Sequence, residues 1–117
     1  MRLSYDPEVD LLEVIFDERL HGAENEKAAF QLRDGIILYV TADLKKLIQL
    51  TVVNYRRYAE LPVVHFEGWN TFSKKDKQQL LPLIASPTLS AFLKLDPKTS
   101  YGHLTTPDVL EMFAVAA

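Results

Sequence analysis

Asp34-Gly35-Ile36-Ile37-Leu38-Tyr39-Val40, then Ala42-Asp43, then Leu47-Ile48-Gln49-Leu50-Thr51-Val52-Val53 is the stretch whose reading decides the fold. Asp-Gly between apolar runs is a strong hairpin signal, because a tight hairpin needs positive φ and glycine supplies it without steric cost. The continuous run Ile36 to Val40 follows, and Ala42-Asp43 marks a second turn. In the last piece Ile48, Leu50 and Val52 alternate with Leu47, Gln49, Thr51 and Val53, which predicts a half-buried central strand.

Upstream, Arg2 to Tyr5 reads as a short extended piece ended by Asp6-Pro7-Glu8. Pro7 presets φ for the second position of a type I turn, and Asp6 is suited to hydrogen-bond the turning backbone. Asp10 is expected to do the same at the start of the next strand, Leu11 to Phe16, in which Glu13 faces water. Arg19 to Asn25 is polar, contains Gly22 and reads as a loop. Lys27 to Leu32 reads as an edge strand, although Ala28-Ala29 suits a helix equally well.

Downstream, Pro62 makes Leu61 to Phe66 extended or loop-like. Ser73 is an N-cap for a helix that Pro82 is expected to end or kink near Leu81. Ser86-Pro87 opens a short helix with Leu89, Phe92 and Leu93 on one face. Asp96 to Thr105 is expected to be a loop, and Thr106-Pro107-Asp108 to open a last helix with an apolar stripe of Val109, Met112, Phe113 and Ala116. Strands first and helices after predict an α+β fold as one domain over residues 1–117, mainly β in 1–55 and mainly α in 56–117. The expected architecture is an antiparallel β-meander of four to five strands from the N-terminal half. Two to three short helices from the C-terminal half pack on one of its faces.

Composition narrows the function classes. The chain has 117 residues, 48% hydrophobic and 25% charged, which excludes a disordered or low-complexity segment. No apolar run approaches the ~18 residues of a membrane helix, so no membrane partner is expected. Thirteen Lys and Arg against 16 Asp and Glu leave a net charge of −3, which makes nucleic acid an unlikely partner. Charge is split: residues 1–26 hold eight acids and two bases, whereas residues 27–60 hold six bases and three acids. Such segments either pair within the fold or meet across a subunit interface. With no cysteine, thiolate nucleophiles and Cys-ligated metals are excluded. Met1-Arg2-Leu3-Ser4-Tyr5-Asp6 runs straight into acids without an apolar core, so no secretory leader is expected and the expected location is cytoplasmic.

Three pieces, Tyr5-Asp6-Pro7-Glu8-Val9-Asp10-Leu11-Leu12, Asp34-Gly35-Ile36-Ile37-Leu38 and Ile48-Gln49-Leu50-Thr51-Val52-Val53-Asn54, resemble a family of small bacterial proteins of unknown function known as DUF2283. The resemblance covers residues 5–16 and 34–55 and departs at Tyr39 and Gln49, where the family has an acidic residue and a glycine. It implies a compact β-meander and no particular activity.

Asp6, Glu8, Asp10 and Asp17 fall at positions 1, 3, 5 and 12 of a calcium-loop frame, but Leu11 stands where that loop needs glycine. His65-Phe66-Glu67 echoes the His-x-Glu of zinc deaminases without the cysteine pair that chemistry demands. His21, His65 and His103 have no metal-ligand spacing, only four glycines are present, and none forms a phosphate-cradling motif. No cofactor or metal is therefore expected. Asn54-Tyr55-Arg56-Arg57-Tyr58 interleaves guanidiniums with aromatics, the chemistry of an interface hot spot, against the plainer reading that the tyrosines pack under the sheet. Trp69, the sole Trp, lies in Glu67-Gly68-Trp69-Asn70, and a Trp there is either a lid over the core or part of a ligand platform.

The reading favoured by these features is a non-enzymatic interaction or scaffold module acting as a homodimer, with a possible protein partner engaged through Arg56, Arg57 and Tyr58 or through the C-terminal helix. The alternative is a small-molecule or metal-binding protein, or a minor hydrolase, with a pocket near His65, Glu67 and Trp69. A DNA-linked regulator would need a basic face that the net charge argues against.

Overall fold

The structure, a computed structural model, describes residues 1–22 and 27–105. Its main sheet is antiparallel, five-stranded and ordered β1-β2-β5-β4-β3, from β1 (Arg2–Asp6), β2 (Leu11–Ile15), β3 (Lys27–Arg33), β4 (Ile36–Thr41) and β5 (Leu47–Val53). The alternating segment is thus the middle strand, with Leu50 and Val52 fully buried opposite Val14 and Leu12. Gly35 takes φ 83° in the β3–β4 turn, the conformation for which the Asp-Gly pair was read. Tyr39 and Gln49, the two departures from the family pattern, are cross-strand partners on the sheet's outer face.

Short helices complete the α+β architecture: α1 (Glu18–Gly22), α2 (Tyr55–Ala59), α3 (Lys74–Ile84) and α4 (Pro87–Ser90), with a 3₁₀ turn at Glu67–Thr71. Ser73 and Ser86 cap α3 and α4, their hydroxyls accepting from the amides of Asp76 and Leu89. Leu12, Leu38 and Leu50 of the sheet and Phe66, Trp69, Leu80 and Leu89 of the C-terminal half share one contiguous core. Among the described residues no helix is long and apolar enough to cross a membrane.

Several local expectations are corrected. Residues expected in the Arg19–Asn25 loop begin as α1, where the Asp17 carboxylate accepts from the Leu20 amide and caps the turn. Pro82 does not end α3, which runs on to Ile84. It sits in the last turn, four residues after the exposed Gln78, so the carbonyl that its missing N–H cannot serve belongs to a solvent-facing residue, while Ile84 is buried. The α4 helix ends at Ser90, so neither Phe92 nor Leu93 shares its face, and Leu93 instead opens β7 (Leu93–Leu95).

The expected Asp96–Thr105 loop contains β8 (Tyr101–Leu104), the centre of a second antiparallel sheet ordered β6-β8-β7, with β6 at Val64–His65. Gly102 permits this pairing, since a Cβ there would fall 1.8 Å from the Lys94 carbonyl oxygen. The expected helix after Thr106 lies outside the described residues.

Candidate functional site

The Tyr-Asp-Pro-Glu-x-Asp segment builds a clasp. Asp6 accepts from the Glu8 amide and closes the turn, as expected. Asp10 does something the sequence did not suggest. Held at φ 53°, its carboxylate accepts the Tyr5 hydroxyl at 2.6 Å and the Arg56 amide at 3.0 and 3.1 Å, while its carbonyl accepts from the Tyr55 amide. The β1–β2 turn is thereby fastened to the first turn of α2. The Tyr5 ring meets Tyr55 edge-on at 6.0 Å, and the Arg56 guanidinium lies 5.6 Å from its centroid. Desolvation, then the bond to Asp10 and its negative charge, push the Tyr5 hydroxyl up to about 12, with Arg56 acting in the opposite sense.

Of the Arg56–Arg57–Tyr58 group, the two arginines are exposed and Tyr58 is half-buried. Tyr58 accepts from Arg33 Nε at 3.2 Å and donates to the Asp34 carbonyl at 3.1 Å. Arg33 also donates to the His65 carbonyl at 3.0 Å, and its guanidinium lies 5.5 Å from the Tyr58 ring centroid. Arg33, which the sequence did not single out, therefore ties α2 and β6 to the edge of the main sheet.

His65, Glu67 and Trp69 point to separate places. Trp69 is 1% exposed, packs edge-on against Phe72 at 5.8 Å, and donates from Nε1 to the Pro97 carbonyl at 3.1 Å. It is a core lid, and Gly68 beside it was the available signal. A Cβ at Gly68 would lie 1.9 Å from the Gln31 carbonyl oxygen, so only glycine lets this turn seat on β3. Glu67 lines a cleft of about 310 Å³ with Gln31, Arg33, Asp34, Gly68 and Thr71, and neither His65 nor Trp69 is among its walls.

His65 stacks on Tyr101 at 4.3 Å, its partner in the second sheet, and its Nε2 lies 2.9 Å from Ser100 Oγ. Ser100 is 1% exposed at φ 64°, receives a bond from Asn70 Nδ2 at 3.0 Å, and donates its hydroxyl to the Thr99 carbonyl. The pair pins β6 to the β7–β8 hairpin, and Ser100 itself is buried. Among the described residues no group of three or more His, Asp and Glu is placed to hold a metal ion. The calcium-frame carboxylates of Asp6, Asp10 and Asp17 each bond to nearby protein amides or hydroxyls.

A second cleft, of about 270 Å³, lies between the β4–β5 turn and α3 and is lined by Asp43, Leu44, Lys45, Gln79, Pro82 and Leu83. Asp43 accepts from the Thr41 hydroxyl and the Lys45 amide, which together hold its carboxyl below the usual carboxylate range. In comparison with known proteins, the chain matches no family model, no curated protein and no solved structure.

Proposed function

We propose that this protein is a non-enzymatic interaction module that works as a homodimer and offers the exposed Arg56 and Arg57 to a protein partner. The observation that carries the reading is the inward use of its reactive side chains. Tyr5 with Asp10, Arg33 with Tyr58, and His65 with Ser100 and Asn70 each bond to other groups of the fold. Chemistry on a substrate needs such groups facing a pocket with a donor or acceptor to spare. Exposed Val9, Leu61 and Val63, the arginine pair and open strand edge are what the surface offers instead. Among the described residues the ion pair is Arg2 with Glu18, inside the acidic segment, and Arg33 and Lys27 are bonded within the fold, so the exposed Arg56 and Arg57 are the basic groups offered to an acidic partner surface.

Sedimentation equilibrium on the full chain tests the dimer. The expected mass is twice 13.4 kDa at tens of micromolar, and a 13.4 kDa species at every concentration refutes it. Arg56→Glu with Arg57→Glu is expected to abolish partner capture while leaving the dimer mass unchanged. Capture that survives this double reversal removes the arginines from the interface.

A further inference from the structure

We infer that two copies join through β1, pairing antiparallel about a two-fold axis so that the two main sheets become one. The inference rests on the homodimer reading and names its surface. Four strands end the two sheets: β1, β3, β6 and β7. The Gln31–Leu32 part of β3 is covered by the Glu67–Thr71 turn, whose Gly68 backbone sits against the Gln31 carbonyl. β6 has two residues and β7 three, too short for stable pairing. β1 has five, and among the described residues nothing pairs with its outer side.

The hydrogen-bond parity of the sheet fixes which groups β1 presents. The Phe16 amide donates to the Ile48 carbonyl, so on β2 Val14 and Leu12 also bond toward β5, and Ile15, Glu13 and Leu11 bond toward β1. Their partners are Arg2, Ser4 and Asp6. The N–H and C=O groups of Leu3 and Tyr5 therefore point away from the sheet.

An antiparallel partner strand must meet Leu3 and Tyr5 with the same pair of residues. The register that bonds both places Leu3 opposite Tyr5 of the second copy, Ser4 opposite Ser4, and Arg2 opposite Asp6 at each end. Arg2 and Asp6 then fall at non-hydrogen-bonded positions, where opposed side chains approach most closely. The strand is thus charge-complementary to itself under a two-fold axis, and a two-fold contact closes rather than propagating into a filament. Shifting the register toward the following turn would put Pro7, which has no N–H, opposite Leu3. The Arg2–Glu18 pair does not compete strongly, since both side chains are about 60% exposed.

Leu3→Pro removes an outward amide that bonds to nothing within the described fold, and Arg2→Glu sets like charges against Asp6 of the second copy. Sedimentation of the wild-type chain and both variants, with circular dichroism melts as the fold control, tests the pairing. Leu3→Pro is expected to weaken dimerisation at least about thirtyfold and Arg2→Glu about tenfold. A wild-type dimer that persists in a folded Leu3→Pro chain, or is unaltered by Arg2→Glu, overturns the β1 pairing and leaves the homodimer reading standing. A wild-type monomer overturns both. Arg2→Glu gives up only the exposed Arg2–Glu18 pair within the chain, and the melts report that cost, so it decides the matter if Leu3→Pro fails to fold.

Discussion

Replacing Tyr5 with Phe removes one oxygen and tests the clasp between the β1–β2 turn and α2. The lost bond is an O–H···O⁻ contact of 2.6 Å to a carboxylate, a class that contributes about 1.5–3 kcal/mol. Both residues are half-buried, and Asp10 keeps the Arg56 amide, so no group is orphaned and the lower end applies. The expected loss is about 1.5 kcal/mol, or roughly 5 °C in Tm for a chain of this size. The ring, with its contacts to Tyr55 and Arg56, stays in place. The pH dependence is more specific. Tyr5 titrates at about 12 in the folded chain against an ordinary value of 10.0, so its neutral form is the one folding favours. Its contribution is complete below pH 10 and is lost as pH rises toward 12. Urea unfolding of wild type and Tyr5→Phe side by side at pH 8, 10 and 11 cancels the other tyrosines. The gap is expected to have its full size at pH 8, to begin shrinking near pH 10 and to be much smaller at pH 11. A gap within ~0.3 kcal/mol of zero at pH 8, or one unchanged at pH 11, would refute the clasp.

Other substitutions probe the same framework. Asp10→Asn keeps an acceptor and tolerates positive φ, so a loss of about 1 kcal/mol is expected, whereas Asp10→Ala loses cap, tyrosine bond and φ tolerance together and is expected to cost about 3 kcal/mol by urea unfolding. Gly68→Ala forces a Cβ against the Gln31 carbonyl and is expected to lower stability by at least about 2 kcal/mol, so an unchanged melt would contradict the packing of that turn on β3. Pro82→Ala restores an amide to the last turn of α3 and is expected to stabilise by about 1 kcal/mol, net of the unfolded-chain entropy that proline suppresses. Destabilisation by that change would show that the proline ring is needed where it packs.

The main sheet was legible because its signals are local. Asp34-Gly35 carries its own turn geometry, and seven residues of alternation in Leu47–Val53 suffice to read period two. The second sheet was not, because strands of two, three and four residues are shorter than any readable alternation and are joined across the chain by Gly102. Helix α2 was hidden for a related reason: five residues leave no period, and its first-turn amide is satisfied by Asp10, 46 residues earlier. The same distance explains why Asp6 was read correctly and Asp10 was not, since one bonds two residues away and the other across the fold. His65, Glu67 and Trp69 are close in sequence, yet an extended strand followed by a 3₁₀ turn sends their side chains to a sheet face, a cleft and the core.

Native mass spectrometry of gently purified full-length chain bears most directly on the central claim, because it reads subunit number and retained ligand in one spectrum. The account predicts a species of twice 13.4 kDa with no added mass. A monomer carrying a small-molecule adduct would contradict it and direct attention to the cleft walled by Arg33, Asp34 and Glu67.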